Sequence, residues 1–382
     1  MKNVYFDSAA TTQIRPEVVD RIKKALEDNF GNPSSTHSYG RSSKTLIETA
    51  RKTIAKYLNA SPQEIIFTSG GTEADNMALR CSVRDLGVTT IITSPIEHHA
   101  VLHTVEQLRV ESDIKVAYVK LQSCGTPDYD DLQALLKADN SKKLVSLMHV
   151  NNEIGNLLDV DKVANICKEY GALFHSDSVQ SIGHFEWDVQ KTPVDFLAAA
   201  AHKFHGPKGI GFAFIRKDSG LKPLIFGGSQ ERGFRAGTEA VHNVVGLEEA
   251  FRLAYDNLAE EKAYVEDLKT YFMSALKKVM PEVKFNGNCH ETTKSTYTLI
   301  NVCLPFDQQK ALMLLFHMDL KGIACSKGSA CQSGSSKGSH VLRAILSDED
   351  LDKPSLRFSF SKFNTKEEID YVVQTLHEYA NS

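Results

Sequence analysis

From about residue 63 to residue 216, short apolar runs alternate with amphipathic stretches, and that alternation leaves few folds open. Ile65-Ile66-Phe67-Thr68 reads as a strand, Ala74 to Asp85 as a helix, Thr90 to Thr93 as a strand and His99 to Arg109 as a helix. The series continues with strands at Lys115 to Leu121, Lys143 to Val150, Leu173 to Ser176, Asp195 to Ala200 and Gly211 to Ile215. Helical patterns fall between them at Tyr129 to Leu136 and Val160 to Tyr170. Strands joined through helices cannot pair as hairpins. They imply an α/β fold with a mainly parallel sheet covered on both faces. After Gly246 the texture changes. A long charged helical pattern runs from about Leu247 to Val279, followed by a strand at Thr296 to Val302 and a helix near Gln308 to Met318. A strand and a helix, Leu356 to Phe360 and Lys366 to Tyr379, close the chain. This reads as a smaller α/β domain beginning near 255–260.

The bulk properties narrow the function. A chain of 382 residues, 42% of them hydrophobic, can bury a large core. The net charge of -4 and the dispersed basic residues give no nucleic-acid footprint. There is no apolar run of about 18 residues, so a cytoplasmic protein without a membrane span is expected. The seven cysteines are odd in number and contain no Cys-x-x-Cys pair, which argues against a disulfide framework and a structural zinc site.

Ligands of open parallel sheets bind beyond the carboxyl ends of the strands, so the residues that follow each strand carry the chemistry. After the first comes Thr68-Ser69-Gly70-Gly71-Thr72-Glu73 at a helix start: either a phosphate cradle or an ordinary turn capped by Thr72. After the second comes Glu97-His98-His99, where His98 is a solvated loop residue or a stacking group and proton carrier. Asn151-Asn152-Glu153-Ile154-Gly155 offers amides for a ring oxygen or for a turn. Asp177 follows the Leu173 strand. A buried carboxylate there needs a partner such as a protonated pyridine nitrogen, unless it only caps a helix. Finally, a strand of small residues delivers Lys203 ahead of a Gly-Pro turn. Desolvation would make that lysine a usable amine nucleophile. Anion site, ring clamp, pyridinium partner and amine are the parts that pyridoxal phosphate needs.

The sequence resembles the cysteine desulfurases, class V members of the aspartate-aminotransferase-like pyridoxal-phosphate enzymes. The landmarks span nearly the whole chain. They include Tyr5-Phe6-Asp7-Ser8-Ala9-Ala10-Thr11-Thr12, Gly31-Asn32-Pro33-Ser34-Ser35, Thr68 to Glu73, Glu97-His98 and His149 to Gly155. Further on lie His202-Lys203, Arg235-Ala236-Gly237-Thr238, Gly328-Ser329-Ala330-Cys331 and Leu356-Arg357-Phe358-Ser359. The resemblance implies a fold type I enzyme. Residues 13–257 would form the large cofactor domain, and 1–12 with 258–382 the small domain carrying a catalytic cysteine loop. It implies Lys203 as the Schiff-base lysine, Asp177 facing the pyridinium nitrogen and His98 stacked on the ring. Gln180 and Asn152 would lie at the ring oxygen, with Gly71, Thr72 and His202 on the phosphate. Asn152 and Arg357 would bind the substrate carboxylate, and Thr238 would reach the partner subunit's phosphate in a homodimer. The implied reaction converts L-cysteine to L-alanine, leaves a persulfide on Cys331 and passes sulfur to an acceptor protein such as an iron–sulfur scaffold. No metal is implied in the pyridoxal site.

Cys331 selects this branch. It lies in a small, polar, glycine-rich stretch, and plain transamination needs no thiol. Selenocysteine cleavage and a weakly active sulfur-relay or assembly partner remain the other readings. Cys325, six residues earlier, is a second sulfur acceptor or an inert thiol. One departure stands out. Where the family usually places a phosphate-binding serine, three residues before the lysine, this chain has Ala200. Ser361-Lys362 also replaces a commoner Gly-Arg pair.

Overall fold

The computed structural model describes residues 3–327 and 338–382. After a short strand, β1 (Val4–Tyr5), come the strands of the main sheet: β2 (Ile65–Thr68), β3 (Thr90–Thr93), β4 (Lys115–Tyr118), β5 (Lys143–Ser146), β6 (Leu173–Asp177), β7 (Phe196–Ala200) and β8 (Gly211–Ile215). Their spatial order is β2-β8-β7-β6-β5-β3-β4. Only β8 runs antiparallel to its neighbours, β2 and β7. The other five central strands and β2 share one direction, so their carboxyl ends meet at one edge. β6 and β7 are adjacent, with Asp177 opposite Ala198. They therefore deliver Asp177 and Lys203 side by side.

The strand interiors explain the near-continuous apolar runs. β2, β3, β5, β7 and β8 are buried at every position, as strands covered on both faces must be. Helix Gly71–Leu86 covers one face together with His99–Ser112, through a cluster around Ile66, Met77, Leu79, Ile91 and Val105. The other face packs on Ser38–Leu58, Val160–Glu169 and Val241–Asp256, through Ile54, Val163, Phe212 and Phe251.

A separate apolar cluster holds the end of the chain. β9 (Lys284–Phe285), β10 (Leu299–Cys303), β11 (Ile323–Ala324) and β12 (Ser355–Ser359) belong to it. The order β12-β10-β9 is antiparallel, and β11 pairs with β1 in parallel. Val4 and Phe6 pack into this cluster with Phe272, Phe358 and Leu376.

Three expectations change. The pattern read as one helix from Leu247 to Val279 is two, Val241–Asp256 and Leu258–Val279. Asn257 breaks it: its backbone leaves helical geometry, its N–H bonds Leu253 and Tyr255 carbonyls, and its side-chain amide bonds Leu253 again. The strand expected from Lys143 to Val150 ends at Ser146, although Leu147 and His149 still donate to the carbonyls of His175 and Asp177. Helices Pro16–Asp28 and Ser38–Leu58 stand ahead of the alternating region, where no element was read.

Candidate active site

At the carboxyl edge of the sheet lies a cavity of about 250 Å³. Gly71, Thr72, His98, Asn152, Asp177, Gln180, His202, Lys203 and Arg357 all line it. Two expected residues are not among the lining. Thr238 is exposed and does not line this cavity within the protomer, and Cys331 lies outside the described residues.

The cradle is built by close packing. Gly70 holds φ at +156°, a conformation that L side chains rarely adopt, and helix Gly71–Leu86 starts directly after it. A Cβ on Gly71 would stand 2.4 Å from Val179 Cγ2. The helix start therefore approaches the segment after Asp177 as closely as a bare backbone allows. The free N–H groups and positive dipole end of such a start suit an anion. Glu73 in the first turn accepts from Ser69 N and pairs with Arg235 at 2.9 Å, which ties the Thr238 loop to the cradle. Ala200 is buried, with its Cβ 3.9 Å from the Cβ position of a residue-71 side chain, and it lines the same cavity.

Lys203 Nζ donates to the carbonyls of Ala9 and Ala10, at 2.6 and 2.8 Å. Gln180 Nε2 donates to the Ala9 carbonyl at 2.9 Å. The N-terminal segment thus closes one wall, a part of the site that no spacing in the β-α region announces. Asp177 is buried and accepts from Val179 N at 3.0 Å. Burial raises its pKa, against the pull of His98 and Lys203. His98 caps helix His99–Ser112: its Nδ1 accepts from Ala100 N, which places the neutral ring's proton on Nε2. Burial holds this imidazole below its ordinary pKa, and burial with Lys203 and Lys208 lowers His202 to about 4.

Of the two asparagines, Asn151 makes the turn. It donates to the Ile96 carbonyl and accepts from Glu153 N and Ile154 N, which leaves Asn152 facing the cavity. Arg357, 1% exposed on β12, donates to Asn152 O at 2.7 Å and to Asp7 Oδ1 at 2.8 Å. Its buried Nε has no partner among the described residues. Ser326 and Arg357 exchange both backbone hydrogen bonds. Burial and the charge of Asp7 push the Cys325 thiol up to about 12, which disfavours its thiolate near neutral pH. Lys362 pairs with Glu261, which also holds Arg15 through two bonds of 2.7 Å.

Asp75, Ala9, Ala10, Met148 and Val179 line the cavity without having been assigned to the site from the sequence, although Ala9 and Ala10 belong to a family landmark. Asp75 carries a usable signal, because it falls one helical turn after Gly71 and so on the same face.

The model of the family described as aminotransferase class-V matches residues 4–372. A protein named cysteine desulfurase IscS, from Dictyoglomus turgidum, is 42% identical over 380 residues, 98% of this chain and 94% of that one. The chain belongs to the class-V aminotransferase family, in its cysteine desulfurase branch. A Methanosarcina thermophila protein of the same name is 40% identical over 99% of this chain and 92% of its own. Among solved structures, a NifS-like protein superposes with a TM-score of 0.90 at 34% identity, covering all of both chains. A structure described as SspA in complex with cysteine matches at 0.80 and 30% identity, over 95% of this chain and all of that one. The aspartate-aminotransferase-like fold with a mainly parallel central sheet follows from these matches. Among the described residues no helix is long and apolar enough to cross a membrane.

Proposed function

We propose that this protein is a pyridoxal-phosphate-dependent cysteine desulfurase that converts L-cysteine to L-alanine and takes the sulfur onto Cys331. The observation that carries this reading is that one cavity gathers a lysine amine, a buried carboxyl, a helix start and a buried arginine. The residues fit the cofactor. Gly71 brings the helix start against Val179 more closely than any side chain would allow and lines the cavity, Asp177 is a buried acid that a pyridinium would partner, and Lys203 lines the same cavity. Gly71, Thr72 and His202 would hold the phosphate, Asp177 the ring nitrogen, and Gln180 and Asn152 the ring oxygen. His98 would cover the ring face, and Lys203 would bind covalently. When bound, pyridoxal phosphate supplies an electron sink for negative charge at the amino acid's Cα.

The chain's own groups do the rest. Arg357 is oriented by Asp7 and Asn152 O, and its Nε–H and remaining Nη–H groups can take a carboxylate in a planar fork. Lys203 Nζ, as a free amine, can accept a proton while the Ala9 and Ala10 carbonyls hold it. His98 keeps a proton at Nε2 toward the cavity. The Cys331 thiolate attacks the cysteine sulfur: an S–S bond forms, the Cβ–S bond breaks, and the bonding pair left on carbon takes up a proton. The thiol of Cys331 becomes a persulfide and alanine leaves. Cys325, with its raised pKa, does not compete.

The same reading places Thr238 of one subunit at the phosphate of its neighbour in a homodimer. It assigns 13–257 to a large domain and 1–12 with 258–382 to a small one, and gives the persulfide to an acceptor protein such as an iron–sulfur scaffold in the cytoplasm. The purified protein incubated with L-cysteine and a thiol reductant such as dithiothreitol, which is oxidised to its disulfide as it frees the persulfide sulfur, should show the cofactor's absorption and release alanine and sulfide in equal amounts. Lys203→Ala should lose the covalently held cofactor. Cys331→Ala should keep the cofactor and lose sulfur release; continued sulfide production by that variant would overturn the persulfide assignment.

A further inference from the structure

Two carboxyls that line this cavity are buried, Asp75 at 1% and Asp177 at 5% exposed, and a third, Glu97, also 1% exposed, is buried outside its lining. Their surroundings differ. Asp177 has Val179 N–H as a donor and faces His98 and Lys203. Glu97 accepts from Ser94 Oγ at 2.7 Å and from Met148 N at 2.9 Å. Among the described residues no lysine or arginine pairs with Asp75. Its nearest titratable neighbour is His175, with Oδ1 at 3.3 Å from Nε2, and both side chains are at most 1% exposed. Neither atom has an aligned hydrogen bond among the described residues. His175 Nδ1 meets Ser146 Oγ at 2.8 Å.

The placement follows from the fold. Asp75 lies one turn into the helix whose start forms the cradle. His175 and Asp177 alternate on β6, so both side chains stand on the face that this helix covers. Two acids in one low-dielectric space do not both ionise, and the charge stays on the one with cationic neighbours and donors. That one is Asp177. Burial, together with the charge of Asp177, pushes Asp75 well above the carboxylate range, while burial pushes His175 down to about 3.

We infer that Asp75 is a positioning residue that stays a neutral acid, donating its O–H to His175 Nε2 and so confining the negative charge of the site to Asp177. His175 then carries its own proton on Nδ1 and donates it to Ser146 Oγ. The chain Asp75–His175–Ser146 holds the wall behind Asp177 without adding a charge. This matters only if Asp177 faces a cofactor ring, and in that sense it rests on the function proposed above; the protonation itself does not.

Infrared spectroscopy of the purified, cofactor-loaded enzyme tests it. A protonated-carboxyl stretch should be present, should move when aspartate carboxyls are isotopically labelled, and should vanish in Asp75→Asn. The same variant should hold the cofactor within about twofold of the parent, with the pH midpoint of the cofactor's absorption unmoved, because a neutral isostere replaces a neutral acid. A midpoint lowered by about one unit would mean that a real charge was removed, and would overturn the inference. So would absence of the aspartate-dependent band. Should Asp75→Asn not fold, Asp177→Asn decides: a band that survives it supports the assignment, and one that disappears places the proton on Asp177 and sinks it. If the wild type takes up no pyridoxal phosphate at all, the function fails while the infrared result still reports on Asp75.

Discussion

Gly71 shows how one missing side chain makes a site. Its Cβ would collide with Val179, which lines the cavity beside Asp177. Gly71→Ala should therefore cost about 1–3 kcal/mol, the range for forced overpacking, and displace the Asp177 segment. Thermal unfolding and cofactor affinity should fall together. Ala200 is the opposite case. It is buried and lines the cavity beside Gly71, where the proposed function puts the phosphate, and one hydrogen bond to a charged acceptor contributes roughly 1.5–3 kcal/mol. Ala200→Ser should slow cofactor dissociation measurably; an unchanged dissociation rate would count against the cradle. Glu97 gives a pH signature. Burial holds its proton up to about 8. Folding thus favours the neutral form, a contribution complete below the unfolded-state pKa and lost as pH rises through about 8. Relative to the parent, Glu97→Gln should gain stability steadily from about pH 5 to pH 8 and level off above, read from denaturant midpoints across pH.

At the scale of elements, the strands were legible because burial on both faces leaves only apolar residues and β-formers in them, bounded by glycines and polar turns. Ile65–Thr68, Thr90–Thr93 and Gly211–Ile215 appear with the bounds read from the sequence. The break at Asn257 was not legible, because the apolar period runs on through it and only local capping bonds reveal the stop. The loop that carries Thr238 depends on a contact that no spacing reveals. Arg51 and Glu231, each 2% exposed, pair at 2.8 Å, and Glu231 also accepts from Phe67 N on β2. Glu231 and Arg232 sit at positive φ, a conformation that this anchoring sustains. Glu231→Gln breaks a buried pair and should cost about 3–5 kcal/mol. Denaturant unfolding would show it, and a loss below about 1 kcal/mol would mean that the pair is not holding the loop.

At the scale of the molecule, the two chain ends are one unit. Phe6 packs edge-on against Phe360 in the cluster of the C-terminal strands, and Asp7 orients Arg357. Ala9 and Ala10, two residues further on, receive Lys203. Phe6→Ala should lower stability by about 3–5 kcal/mol, and because the wall of the cavity follows directly in sequence, cofactor retention should weaken with it. A variant that loses stability but keeps the cofactor as tightly would separate the two. Arg15, Glu261 and Lys362 add a second tie between the chain's beginning and its end.

The sequence by itself determined the sheet, its direction and the strand ends at which chemistry gathers, because hydrophobic period, glycine positions and chain order are local properties. It also placed Lys203, Asp177, His98 and Arg357 in their motifs. Only the tertiary structure decided that Asn151 builds the turn that presents Asn152, that burial raises the Cys325 thiol, and that Asp75 is buried against His175 with no cationic lysine or arginine paired to it among the described residues. Those outcomes depend on which groups share a desolvated space across distant parts of the chain, and charge in such a space is set by neighbours that sequence order does not reveal.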